Sequence, residues 1–134
     1  MDKFSIDLQR FKAKSLEQLE TVARKIAITA YRRIIMRTPV KTGKARGNWQ
    51  CTIGSPAIGA WGHNAPSGGA PSQRVLAMGG AWAPLSPTAF YLTNNLPYIG
   101  RLEHGSSKQA PAGMVAVTIA ELGGIAQDAA GGTI

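Results

Sequence analysis

Few residues in this chain are of the types that carry out reactions, and their spacing limits what they could do. The one cysteine is Cys51 and the two histidines are His63 and His104. Zinc and related sites draw Cys and His from short, repeated spacings, and neither Cys-x-x-Cys nor His-x-x-x-His occurs here. Even gathered together, Cys51, His63 and His104 would form an incomplete ligand set, so no metal and no cofactor are expected. Glu103 and His104 adjoin, with Ser106 and Ser107 close behind, which are the residue types of a nucleophile, its base and an orienting acid. Neighbours on one turn do not generally face each other, so a local ion pair of Glu103, with Arg101 or a more distant arginine, is the simpler expectation. Paired carboxylates for acid–base work are poorly supplied by seven acids in total. The glycines of "GGAP" and "GHNAPSGG" lack the lysine and the strand–loop–helix setting of a phosphate loop. The expectation is a protein that is not an enzyme.

Charge is more informative. Residues 1–50 hold 12 of the 15 Lys and Arg and four of the seven acids, whereas residues 51–134 hold three of each, so the net +8 sits in the first half. It concentrates around "IIMRTPVKTGKARGNW" (34–49), where an apolar run ends in a proline, a glycine and several cations. Lys41, Lys44 and Arg46, with Arg32 and Arg33 just before them, form a candidate basic contact surface. Such a surface suits nucleic acid, a membrane surface or an acidic protein face, and a solvated helix face is the plain alternative. For nucleic acid, these cations would contact phosphates and Trp49 would stack on a base. No known binding module is recognisable, however, and basic and aromatic residues do not interleave along a strand.

These residues must be held by the elements around them. The length fits one domain, 1–134. Residues 1–14 read as an N-terminal arm. Ser15 and Gln18 have the form of a capping box, and apolar residues at three- and four-residue steps from Leu16 to Ile34 predict a helix over 16–37. Pro39 biases Thr38 out of helical geometry and ends it. "NWQCTI" (48–53) alternates as a strand and "TAFYLTNN" (88–95) is a second. Between them, 54–87 reads as a long Gly/Pro-rich loop or hairpin. Its Trp61 and Trp82 are either anchors against another subunit or fold back onto their own core. "LPYIGRLEHG" predicts a short helix opened by Pro97 and stopped by Gly105. "MVAVTIAELGG" fits strand and helix equally well, and 124–134 reads as a frayed tail. The class is α+β: a long N-terminal helix on a small, mainly antiparallel sheet, with a short second helix. No apolar run of membrane-spanning length occurs, the N-terminus is too charged for a signal peptide, and a lone cysteine fits a reducing compartment.

Taken in order, these landmarks resemble the neck and tail-completion (head–tail joining) proteins of long-tailed bacteriophages. That family shows a long helix, then Pro-x-x-Thr-Gly with a basic residue close behind, and later a Tyr, a Glu-x-Gly and a proline. The matching positions are Pro39, Thr42, Gly43 and Arg46, then Tyr98, Glu103, Gly105 and Pro111, so the likeness spans roughly residues 15–120. The resemblance implies a structural virion protein, made in the host bacterial cytoplasm and built into a homo-oligomeric ring, a hexamer, at the head–tail junction. Its partners would be other phage neck and tail proteins, with transient contact to DNA in the channel and none to membrane. Pro39, Thr42 and Gly43 would form a structural turn, and Trp61, Trp82, Tyr98 and Glu103 are the subunit-interface candidates. The alternatives are a minor tail component outside the neck and a basic nucleic-acid-binding module acting as a monomer.

Overall fold

The computed structural model describes the backbone of residues 2–131 and the side chains of residues 15–131. Helix α1 runs from Asp2 to Arg37, about 54 Å at 1.5 Å per residue. The predicted helix therefore continues back through the segment expected to be an arm. Ser15 lies inside α1 and caps nothing. The C-terminal end is where Pro39 required it.

Helix α2 (Lys44–Gly47) follows, then strand β1 (Gln50–Ile53), helix α3 (Gly69–Ala81), strand β2 (Phe90–Thr93) and helix α4 (Ile99–Glu103). Helices α5 (Val115–Ala120) and α6 (Leu122–Ala130) close the chain. The two strands pair antiparallel, Gln50 opposite Thr93 and Ile53 opposite Phe90. The architecture is α+β as expected, but α1 is covered chiefly by α3 on one side and by α5 and α6 on another. It meets the sheet through Tyr31, whose hydroxyl donates to the Phe90 carbonyl at 2.5 Å. This explains a helix that is apolar on several sides.

Two further expectations need correcting, and one left open is decided. The stretch 54–87 is no continuous loop, because α3 occupies Gly69–Ala81. Its Pro71 sits in the first turn, where a missing N–H costs nothing. Gly79 serves packing rather than turning: a Cβ there would stand 2.4 Å from Ile28 Cγ1 of α1. Glycines that read as loop signals thus let two helices approach closely. The segment left open between strand and helix, 114–124, is helical from Val115 to Ala120 and again from Leu122, Thr118 having its backbone and side chain both bonded to the Met114 carbonyl. Of the tail expected to fray, α6 is ordered to Ala130 with Ile125 and Ala129 buried, and residues 132–134 lie outside the described residues.

The core gathers Ile34, Ile35, Trp49, Val75, Ala110 and Met114, with Tyr31, Cys51, Leu92, Ile99 and Leu102 packed against it. Trp49 is buried here and its indole N–H donates to Thr38 Oγ1 at 2.7 Å, so it is a core residue and has no face free to stack on a base. Arg33 and Arg37 of α1 both grip Glu121, at 2.9 and 2.6 Å, and Arg37 also donates to Thr118 Oγ1. That pairing docks the α5–α6 corner onto α1. It leaves Arg33 paired within the chain rather than free.

Candidate partner-binding cleft

The turn after α1 is wired as a junction. Gly43 has φ +87°, a left-handed conformation that favours glycine, and a Cβ at this position would lie 2.4 Å from Pro66 N. Its carbonyl accepts from both Gly47 N and Ala65 N at 2.9 Å. A Cβ at Gly47 would meet the His63 carbonyl at 2.4 Å, so the 63–66 segment lies directly on the turn. Asn48, buried, donates to the Lys44 carbonyl and accepts from Trp61 N.

Arg46 is the fastener of this junction. Its guanidinium donates to three carbonyls: Met36 at 2.8 Å, Thr38 at 2.9 Å and Pro66 at 2.7 Å. The carbonyls at the end of a helix lack intrahelical partners, and a cation there also suits the helix dipole. Arg46 therefore ends α1 and ties it to the loop, and is spent on its own chain rather than offered to a partner. Lys41, Lys44 and Arg32 stay exposed.

A second segment faces this turn. Tyr98, Leu102, Ser106, Ser107 and Gln109 form one wall of a cleft of about 490 Å³ whose other wall is Pro39, Val40, Lys41, Thr42, Lys44 and Ala45. Gln109 spans it at one point, donating to the Val40 carbonyl and accepting from Val40 N at 3.0 and 2.8 Å. The two stretches that carry the Pro-x-x-Thr-Gly and Tyr…Glu-x-Gly patterns, far apart in sequence, are thus the two sides of one groove.

Glu103 lies behind the second wall, and its expected ion pair is absent among the described residues. Its carboxylate instead accepts the backbone N–H groups of Met114 and Val115 on Oε1, at 2.9 and 2.8 Å, and that of Ala116 on Oε2 at 2.9 Å. These are the unpaired donors at the start of α5, so Glu103 caps that helix from a distance. Burial raises its pKa, but the three N–H donors and the nearby His104 outweigh this and hold it below the usual carboxylate range. Gly113, φ +87°, makes the fit possible, since a Cβ there would come within 2.7 Å of Glu103 Oε2. Gly105, φ +88°, ends α4, where a Cβ would meet the Pro111 carbonyl at 2.4 Å.

Both loop tryptophans have partners within the chain. Trp82 accepts Arg24 Nε on its carbonyl at 2.7 Å, donates from its indole to the Thr88 carbonyl, and packs on Phe90 at 5.5 Å between centroids. Trp61 lies under the Arg74 guanidinium at 4.5 Å, with His63 edge-on. The Cys51 thiol is pushed up by burial, against the lowering effect of nearby Arg74. Among the described residues, no three His, Cys, Asp or Glu cluster closely enough to hold a metal ion, and no helix is long and apolar enough to cross a membrane.

No family model, curated protein or solved structure matches this chain.

The sequence singled out Pro39, Thr42, Gly43, Lys41, Lys44 and Tyr98, and the structure brings all but Gly43, which is buried in the turn, together as lining of the cleft. It gave no sign of Gln109, a lone polar residue in a loop, or of Gly113. The latter lies two residues after Pro111, and its contact with Glu103 had no signal in the sequence.

Proposed function

We propose that this chain is a structural virion protein, a subunit of a ring at the head–tail junction of a long-tailed phage, working through its surfaces rather than by catalysis. The observation that carries this reading is the convergence of the two motif-bearing segments into one cleft. The residues that define the motifs act there as fasteners: Gly43 and Arg46 fix one wall, and Glu103 and Gly105 fix the other. Fasteners that hold a groove in shape suit a protein whose work is to be gripped by neighbours.

A second feature favours subunit contacts. Ile58 is 96% exposed, yet the loop presenting it is pinned by Asn95, which donates to the carbonyls of Ala57 and Gly59, and by Gln50, which donates to that of Gly59. A bare isoleucine on a fixed loop is suited to a pocket on a neighbouring copy, and closed rings use such unlike patches.

The test is quantitative mass spectrometry on purified particles, scaled to the major capsid protein, with native mass spectrometry of the isolated chain. A copy number matching one ring is expected. Copies in the hundreds would move the chain to a tube or shell, and absence from particles would end the virion reading.

A further inference from the structure

The cationic side chains among the described residues divide into those that are used and those that are not. Arg46 holds three carbonyls, Arg33 and Arg37 hold Glu121, and Arg24 faces Glu20 while donating to the Trp82 carbonyl. Lys41 and Lys44 do none of this. Both are exposed, both line the cleft of about 490 Å³, and no acid lines it with them.

The rest of the lining adds unspent donors. The hydroxyls of Tyr98 and Ser106 have no partner among the described residues, while those of Thr42 and Ser107 accept only backbone N–H groups and keep their own hydrogens to give. The same lining carries apolar surface, from Pro39, Val40 and Ala45 on one wall and Leu102 on the other. We infer that the cleft between the Pro39–Ala45 turn and the Tyr98–Gln109 segment is a docking groove for an acidic peptide segment of a different protein, one pairing carboxylates with an apolar side chain.

Charge decides for a different protein over a second copy. Of the described acids, Glu103 is committed to α5, Glu121 to Arg33 and Arg37, and Glu20 to Arg24. That leaves Glu17 and Asp128, and Glu17 shares its own groove with Lys25. A chain of net +8 has little acid to place opposite its own lysines. Shape decides against DNA: a cleft with two partly apolar walls, bridged at one point by Gln109, suits a side chain entering the groove, whereas phosphate contacts need only an open basic surface.

The inference rests on the proposed role as a partner-binding subunit, and names the chemistry of that partner at this site. It is tested by selecting short random displayed peptides on the immobilised protein, then measuring the best synthetic peptide against wild type and the Lys41→Ala/Lys44→Ala variant at physiological salt. The expected result is enrichment of Asp or Glu beside an apolar residue, with affinity falling roughly tenfold in the variant as two charge pairs are lost. An unchanged melting curve is expected, since both side chains are free. Selection of peptides without acids, no selection at all, or equal affinity for the variant would overturn the inference. Tighter binding of duplex DNA at the same lysines, with steep salt dependence, would overturn it in favour of nucleic acid. Light scattering on the same samples separates this from ring formation: a monomer that binds the peptide refutes the ring alone, and a ring that ignores it refutes the groove alone.

Discussion

Replacing Glu103 tests the account of this site most directly, because the structure gives its carboxylate three named partners. In Glu103→Ala the N–H groups of Met114, Val115 and Ala116 lose their acceptor together. Ala116 is exposed and water replaces the carboxylate there at little cost. Met114 is fully buried, and an unsatisfied buried donor costs about 1–3 kcal/mol. Loss of a helix N-cap adds roughly 1 kcal/mol. The two sum to about 3 kcal/mol, which for a domain of this size lowers the melting temperature by roughly 10 °C. Glu103→Gln keeps one oxygen for Met114 and Val115 and loses the bond to Ala116 with the charge, so its effect should be about half as large. The assay is thermal unfolding of the purified chain by circular dichroism, with hydrogen exchange at the Met114, Val115 and Ala116 amides as the local readout. Those three amides should lose protection before the rest. A Glu103→Ala variant melting within about 2 °C of wild type, with the amides still protected, would refute the capping role. A Gln variant as damaging as Ala would refute the division between the two oxygens.

The cations separate in the same way: Arg46→Ala should destabilise the chain by about 2 kcal/mol, having left the end of α1 unsatisfied, while Lys41→Ala stays within about 0.5 kcal/mol of wild type by urea unfolding. Trp82→Ala should cost the isolated chain about 2–3 kcal/mol in the same assay through lost packing on Phe90, whereas Ile58→Ser should leave stability unchanged and act only on assembly, read by light scattering. Glu121, held at a pKa of about 2 by the Arg37 and Arg33 guanidiniums, is a depressed carboxylate. The stability it contributes is present above the ordinary carboxylate pKa and is lost as pH falls from there towards 2, so hydrogen exchange in α5 and α6 should rise over that window, and should not in Glu121→Gln.

How much of this was legible in the sequence depended on whether the signal was local. The end of α1 at Thr38-Pro39, the stop at Gly105 and both strands could be read because each rests on the backbone preferences of one or two residues. Helix α3 could not. Its glycines are unfavourable for a helix in isolation, and their use appears only when Ile28 of α1 is placed against Gly79. Arg46 and Glu103 were singled out for surface roles, whereas the structure commits both side chains to their own backbone. A cation near a turn and an acid near a histidine look alike whether they face water or their own backbone, and here the deciding partners, Met36 and Pro66 or Met114 to Ala116, lie too far along the chain to be inferred. The cleft was visible only as two separate patterns.

The same contrast bears on what the resemblance to neck proteins can support. Its landmarks Gly43, Arg46, Glu103 and Gly105 are positions where the backbone conformation or the carbonyl and N–H groups of neighbouring segments demand one residue type. A pattern of such residues specifies how two segments are held face to face, and any protein built this way would need them whatever it bound. For the docking groove proposed at this cleft, specificity would come from side chains that the framework leaves free, which are Lys41, Lys44, Tyr98 and the hydroxyls of Thr42, Ser106 and Ser107. Substitutions therefore fall into two groups with opposite signatures. Those in the framework lower stability and take binding with them, whereas those in the free set change the partner and leave the melting curve alone. A Lys44 variant that unfolds the chain, or an Arg46 variant that folds normally but loses only binding, would break that division and with it the reading of the motifs as scaffold.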